Sequence, residues 1–395
     1  MGMAISVQFL NGVKSMKILM VTPFYHPIIG GTESQIENLA INLNKMGIST
    51  DVMTFNVDQS WKPWSISHIR KGKIEKINGI NVIKIPALTF LPTRILFGVN
   101  FIPGKFLDKL RDYDIIHFHN DVDLSFPLFS HFVDKPKVFH CHCLHLTYGQ
   151  YMKNPLDKCI LKKIANVFVV QSNYFLKLLV NLGIPKSKIK IVLNGIDVEK
   201  FKPSSDLKIE NLILFVGRLD PKKGLPVLLK ALEYLRTKVH LIIIGPPSRP
   251  WFFKYCLSLI DKVSKNTIHK VTYLGTCSQE KLIKWYQKAS VLVCPSLSEL
   301  FPMVILEALS CATPVIATNV GAIPEIVKNY ENGILVPPRN AMRLSEAIQY
   351  LLDNRKIRLK FGEDGRKFVF KNFSSKVVTE KLVEIYMDLL KVQFA

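Results

Sequence analysis

Short apolar runs of strand length recur along this chain, separated by stretches with helical spacing, and the series begins twice. In the first half the runs fall at 18–22, 50–55, 80–85, 115–119, 138–142, 167–171 and 190–193. The second series falls at 212–216, 239–244, 271–274, 291–295 and 314–317. Strands alternating with helices make βαβ units and a largely parallel sheet. A length of 395 residues also exceeds what one core supports. The expectation is an α/β chain of two Rossmann-like domains, their parallel sheets facing across a cleft. Such sheets bind ligands beyond the carboxyl ends of their strands, so each chemistry-bearing motif should sit just after a strand. Asn194-Gly195-Ile196-Asp197 and the polar stretch 202–206, with Pro203, read as a linker. The domains are therefore expected at 16–196 and 208–372.

Apolar residues make up 48% of the chain and charged residues 21%, a composition that folds throughout. Lys and Arg outnumber Asp and Glu by 53 to 31, and the net charge of +22 favours anionic partners. These cations are scattered rather than clustered, so nucleic acid is not an expected partner. Seven cysteines without a C-x-x-C spacing fit a reducing compartment, with the cytoplasm as the expectation. The first residues lack the pattern of a signal peptide, and no run approaches 18 apolar residues. Residues 1–15, ahead of the strong run at Met16–Val21, are given no function.

Three loops carry chemistry. After the first run comes Gly30-Gly31-Thr32-Glu33, then a helix with apolar Ile36, Leu39, Ala40 and Leu43. Glycines at a helix start let backbone amides approach a phosphate, and the helix dipole favours its charge. The first run of the second half leads into Gly217-Arg218-Leu219-Asp220-Pro221-Lys222-Lys223-Gly224. Arg218 offers a bidentate fork for phosphate oxygens, and Lys223 adds a mobile point charge. The third segment runs from Pro295 to Leu309. Pro302 suits a first helical turn, and the amides of Met303 and Val304 can then address a diphosphate. Glu299 precedes that helix, and Glu307 follows the apolar run Val304-Ile305-Leu306. A carboxylate in such surroundings is costly without a partner, and sugar hydroxyls are suitable ones.

These residues resemble the family 4 glycosyltransferases of the GT-B fold. Glu299 and Glu307, with seven residues between them, look like that family's E-x7-E signature. The glycine motifs at 30–33 and 217–224, Asn194 to Asp197, Gly321-Ala322-Ile323-Pro324-Glu325 and 332–338 keep the family's order over about residues 16–390. The resemblance implies a retaining, metal-independent hexosyltransferase without a cofactor, using a UDP- or GDP-sugar as donor and a hydroxyl acceptor. It implies that Arg218 and Lys223 hold the donor diphosphate, with the Gly30 and Gly31 amides opposite. Gly217, Phe301, Met303 and Val304 line the donor, Glu307 takes the ribose and Glu299 the transferred sugar. Counting from Pro136 places the family's histidine near that sugar at His142, with His140 as the alternative. His119, Glu33 and Asn194 are expected to line the cleft. A last helix, 373–395, is expected to return to the first domain. Pro302 stands where many members have glycine, and Pro246-Pro247-Ser248 replaces a glycine-bearing loop that borders the nucleotide base, which leaves the base open. An epimerase or phosphorylase of the same fold, or a non-catalytic nucleotide-sugar-binding subunit, are the alternatives.

Two metal motifs are set aside. His140-Cys141-His142-Cys143 with His145 has a zinc composition, but strand residues alternate faces, so histidines and cysteines point apart. Asp112-Tyr113-Asp114 mimics a metal-binding D-x-D but precedes a strand, at the wrong end of a sheet. No metal is expected. Segment 87–106, apolar with Arg94 and Lys105, reads either as a buried helix or as a surface lying on anionic lipid. With the basic charge, it points to a lipid-linked or envelope glycan acceptor at the inner face of the cell membrane, with a soluble acceptor as the alternative. The segment Arg249–Lys254 is expected to pack between the domains.

Overall fold

The computed structural model describes residues 16–27, 30–56, 72–86, 108–119, 133–142, 163, 165–204 and 208–393. Segment 87–106, Cys143 and His145 lie outside the described residues. The chain divides into two compact units. One holds residues up to Gln171, Phe175–Gly195 and Val378–Ala395, and the other holds Ser172–Tyr174 and Ile196–Val377. The division differs from the expected boundaries at both ends of the second unit. Residues 196–204 are fastened to it rather than forming a linker: Ile196 bridges Ser374, and Arg366 donates to the carbonyls of Val198 and Phe201. The return to the first unit comes at Val378 rather than residue 373.

Among the described residues the first unit is built on eight strands: β1 (Lys17–Val21), β2 (Ser49–Phe55), β3 (Lys73–Ile77), β4 (Ile80–Ile85), β5 (Ile115–His119), β6 (Lys137–His140), β7 (Val167–Val170) and β8 (Ile189–Ile191). Their order is β3-β4-β2-β1-β5-β6-β7-β8, and every pairing is parallel except β3 with β4. Helices α1 (Gly31–Lys45) and α2 (Asn173–Asn181) follow β1 and β7. Helix α1 buries Ile36, Leu39, Ala40 and Leu43 against Ile18, Met20 and Val82 of the sheet. Strand β3 escaped the sequence reading because Lys73-Ile74-Glu75-Lys76-Ile77 is a mostly exposed edge with no apolar run. Its signal lay in the turn: Asn78 and Gly79 both take positive φ, at 49° and 84°, the geometry an Asn-Gly hairpin supplies.

The second unit carries six parallel strands: β9 (Leu212–Val216), β10 (His240–Ile244), β11 (Lys270–Tyr273), β12 (Val291–Cys294), β13 (Val315–Thr318) and β14 (Gly333–Val336). Around them lie α3 (Leu225–Leu232), α4 (Pro250–Asn266), α5 (Gln279–Lys288), α6 (Met303–Ser310), α7 (Ile323–Ile326), α8 (Ala341–Asp353), α9 (Arg355–Phe373) and α10 (Ser375–Gln393), which reaches back into the first unit. Alternate sheet residues Ile213, Phe215, Leu241, Ile243 and Val293 share a core with α3, α4 and α8. Leu214, Ile242 and Leu292 between them are equally buried. Both faces are therefore covered, as an all-parallel sheet requires. Strand β14 had been hidden inside a turn-rich motif. Phe252 belongs to this unit's own core and Trp251 is exposed, which corrects the packing expected of 249–254.

Arg366 anchors the crossover by also donating to the Ser310 carbonyl at 2.6 Å. Replacing it with Met removes a donor from three carbonyls, of which that of Phe201 keeps Ser310 Oγ, and the expected loss is about 2–4 kcal/mol in denaturant unfolding. The exposed Arg343→Met serves as the control and should stay within about 0.5 kcal/mol. Equal effects of the two changes would refute the anchoring role.

Candidate active site

The strand order of the second unit, β11-β10-β9-β12-β13-β14, reverses its succession between β9 and β12. Ligands bind at such a switch point in open parallel sheets. The loops after these strands, 217–224 and 295–302, are the two cation- and carboxylate-bearing segments. They approach more closely than side chains permit. A Cβ on Gly224 (φ 71°) would stand 1.9 Å from the Pro295 carbonyl oxygen. One on Gly321 (φ 56°) would stand 1.6 Å from that of Glu299, and one on Gly245 (φ 147°) 2.0 Å from that of Gly217. Only glycine combines those positive φ angles with that contact. The Leu297 amide then donates to the Lys222 carbonyl at 2.7 Å, and Leu219 bridges Pro247.

Within this cluster Lys223 Nζ forms an ion pair with Glu299 Oε2. Burial pulls the Lys223 ammonium down, but the Glu299 carboxylate outweighs it, and the net shift is upward. Lys223 is thus held charged. Arg218 is exposed on the same loop, beside Gly217 at φ 156°. Helix α6 opens at Pro302, which stands at its N-cap rather than inside its first turn, so that Met303 and Val304 form that turn. Phe301 is half-buried with its ring 6.2 Å from that of Phe373.

Glu307 lies on α6 and accepts a 2.6 Å hydrogen bond from Tyr286 Oη of α5. Burial raises the Glu307 carboxyl above its ordinary value, and the tyrosine bond offsets only part of that. Sequence reasoning missed Tyr286. On α5 it reads as one more core aromatic, and it is indeed fully buried.

The remaining expected site residues belong to the first unit. Gly30 is the N-cap of α1, and Glu33 folds back on it, accepting from the Gly30 and Glu33 amides. Burial nevertheless raises the Glu33 carboxyl. Gly31 has an ordinary φ, and a Cβ there would meet nothing within 4 Å. Among the described residues, neither backbone strain nor packing calls for glycine at this position. Gln35 donates to the Gly195 carbonyl at 2.9 Å, which brings α1 beside the buried Asn194. His119 closes β5 and His142 follows β6, with His119 Nδ1 3.1 Å from His142 Nε2. Burial lowers the His142 imidazole to about 3, so it is neutral. Asp112-Tyr113-Asp114 stands at the amino ends of the strands, where Asp114 accepts from the Lys17 amide.

Two family models divide the chain between them: Glycosyltransferase Family 4 over residues 29–200 and Glycosyl transferases group 1 over 197–368. A D-inositol 3-phosphate glycosyltransferase of Mycobacteroides abscessus is 32% identical over 82% of this chain and 77% of its own. The chain belongs to the family 4 glycosyltransferases. An uncharacterized glycosyltransferase of Methanocaldococcus jannaschii is 28% identical over 94% of this chain and 98% of its own. Among solved structures, sucrose-phosphate synthase from Thermosynechococcus elongatus matches with a TM-score of 0.76 at 23% identity, covering 95% of this glycosyltransferase and 100% of that chain. Anabaena HepE in complex with UDP-glucose matches with a TM-score of 0.74 at 19% identity, over 94% and 100%. The fold of the glycosyltransferase is the two-domain GT-B fold of these neighbours.

The raised Glu307 carboxyl has a stability consequence. Above the ordinary carboxylate range the folded state holds this proton longer than the unfolded chain, so stability falls as pH rises through that window. Glu307→Gln is expected to remove this fall, and Tyr286→Phe to steepen it while costing about 2 kcal/mol. Thermal unfolding of the three proteins from pH 4 to 8 checks this. An unchanged pH slope in Glu307→Gln would overturn it.

Proposed function

We propose that this glycosyltransferase moves a hexose from a nucleoside diphosphate sugar to a hydroxyl acceptor with retention at the anomeric carbon. The observation that carries the reading is the Lys223–Glu299 ion pair at the switch point of the second unit, beside the opening of α6 and the Tyr286-held Glu307. Lys223 and Glu299 are one another's partners in the loop cluster, and the donor separates them. Its diphosphate takes Lys223 and Arg218, and the hydroxyls of its sugar donate to Glu299. Glu307 accepts from the ribose while Tyr286 holds its other oxygen. Gly217, Phe301, Met303 and Val304 line the donor, and the Gly30 and Gly31 amides add to the diphosphate site. That no described residue comes within 4 Å of a Cβ at Gly31 favours that role, since an approaching phosphate needs the room a side chain would fill. His142, neutral and tied to His119, is the histidine proposed to stand beside the transferred sugar. Glu33 and Asn194 face the acceptor side.

In the reaction the acceptor oxygen bonds to the anomeric carbon on the face from which the diphosphate leaves. The bond from that carbon to phosphate oxygen breaks, and the departing phosphate takes the acceptor's proton. Catalysis then consists of positioning and of stabilising the leaving charge. A double displacement would need a carboxylate beneath the anomeric carbon, a place assigned to neither Glu299 nor Glu307. Two cations and the α6 amides neutralise the diphosphate, so added Mg²⁺ or Mn²⁺ is not required.

Thermal-shift screening with UDP-, GDP- and ADP-sugars identifies the donor, because a ligand of the folded state raises its apparent stability. With that donor, Arg218→Ala and Lys223→Ala should each lower kcat by about 10²- to 10³-fold. Glu299→Gln frees Lys223, so affinity for the nucleoside diphosphate alone should hold or rise while transfer falls by a similar factor. Near-normal transfer by the Arg218→Ala, Lys223→Ala double variant would sink the assignment.

The acceptor proposed is a lipid-linked or envelope glycan reached from the cytoplasmic face of the membrane. The net charge of +22 supports attraction to an anionic surface, and among the described residues no helix is long and apolar enough to cross a membrane. Co-sedimentation with anionic but not zwitterionic vesicles, lost at high salt, is the expected result. Equal binding to neither would remove the membrane from the proposal.

A further inference from the structure

The first unit contains a group of buried imidazoles that the transfer reaction does not use. His117 and His119 lie two residues apart on β5 and so share a face. The register of β5 with β6 sets His119 beside His140, and His142 continues the same row. The ring centroids of His117 and His119 are 4.0 Å apart, those of His119 and His140 5.2 Å, and those of His117 and His140 5.5 Å. All three rings are at most 1% exposed. Burial holds each imidazole well below its usual range, with the neighbouring rings adding to the effect, so all are neutral. Four of their nitrogens are orphaned: His117 Nε2, His119 Nε2 and both nitrogens of His140. A buried polar atom without a partner costs about 1–3 kcal/mol, and four in one place mark a site built for something that binds nitrogen.

We infer that His117, His119 and His140 form a binding site for one borderline transition-metal cation, of which Zn²⁺ is the best fit. Neutral imidazole is the preferred nitrogen ligand of such ions, and three of them with one position left open is a recurrent set. One ligand atom from each residue already lies within 4.8 Å of the others. Nitrogens on a tetrahedral zinc are about 3.3 Å apart, as Zn–N bonds of about 2.0–2.1 Å require. The rings must therefore close by up to about 1.5 Å, which small side-chain rotations provide. Outer partners are in place. Tyr386 of α10 lies 2.5 Å from His117 Nδ1 and orients that ring, as a partner on the second nitrogen of a metal-bound histidine commonly does.

The ion also acts on His142. Gln171 Nε2 donates to the Cys141 carbonyl and lies 3.3 Å from His142 Nδ1, which makes Nδ1 an acceptor and puts the His142 proton on Nε2. His142 then donates to His119 Nδ1, and His119 carries its own proton on Nε2, inside the cluster. Coordination through that Nε2 moves the His119 proton to Nδ1 and the His142 proton to Nδ1, which then gives up its contact with the Gln171 amide, itself still held by the Cys141 carbonyl. No proton is gained or lost, but the bond between the two histidines reverses direction.

The site is independent of the donor diphosphate and stands whether or not the second unit transfers a sugar. Untagged, chelator-stripped protein is titrated with Zn²⁺ against a chromogenic chelator and with Co²⁺ by visible absorption. The expected result is one ion per chain, a raised Tm and a cobalt spectrum without a thiolate charge-transfer band. His117→Gln and His140→Gln should each weaken binding by more than the roughly 10- to 100-fold that loss of an outer partner costs. The ¹⁵N resonances of the His142 ring should exchange their protonated position on adding Zn²⁺. Absence of stoichiometric uptake means that trapped solvent fills the space and overturns the inference. So do unchanged affinity in both variants, a thiolate band, or a His142 ring that does not respond.

Discussion

The close approach of four loop backbones at the carboxyl ends of β9, β10, β12 and β13 is the constraint on which the second unit depends. A parallel sheet buried on both faces sends all its connections to two edges, and the switch in strand order opens one of them. Gly224, Gly245 and Gly321 let the loops pack with carbonyl oxygens where a Cβ would stand. That packing puts Lys223 in reach of Glu299. A methyl group at any of the three positions would spread the loops and separate the pair.

Polar groups are treated in contrasting ways in the two units. In the second, each buried charge has a partner: Lys223 has Glu299, and Glu307 has Tyr286. These partners are replaceable, because a hydroxyl-rich anionic ligand satisfies the same atoms. In the first unit the imidazole row leaves four nitrogens without partners. Neutral imidazoles in an enclosed place, each able to offer one nitrogen lone pair, suit a cation, whereas the charged pair suits a ligand that carries both phosphate and hydroxyls.

The chemistry-bearing loops were legible because each follows a strand, and strand-length apolar runs are conspicuous. Gly30-Gly31, Arg218, Lys223, Glu299 and Glu307 all lie where that rule places them. The edge strand β3 was not legible, since an exposed strand has no apolar run and only Asn78-Gly79 marked its turn. Strand β14 was masked by surrounding turn residues. Tyr286 carried no separate signal, because a buried tyrosine on an amphipathic helix looks alike whether its hydroxyl holds a carboxylate or not.

His142 and His140 were singled out as members of a His-Cys alternation, and the argument that histidines and cysteines take opposite faces left the metal reading without its thiolates. The partners of those histidines come from the neighbouring strand β5. Local spacing was enough for the two parallel-sheet units, for the loops after strands that bear Arg218, Lys223 and Glu299, and for the helix after them that bears Glu307. The folded chain alone reveals that Lys223 pairs with Glu299, that Tyr286 holds Glu307 and that β5 and β6 bring four imidazoles into one row. Those facts depend on strand order and register, which place residues far apart in sequence beside one another.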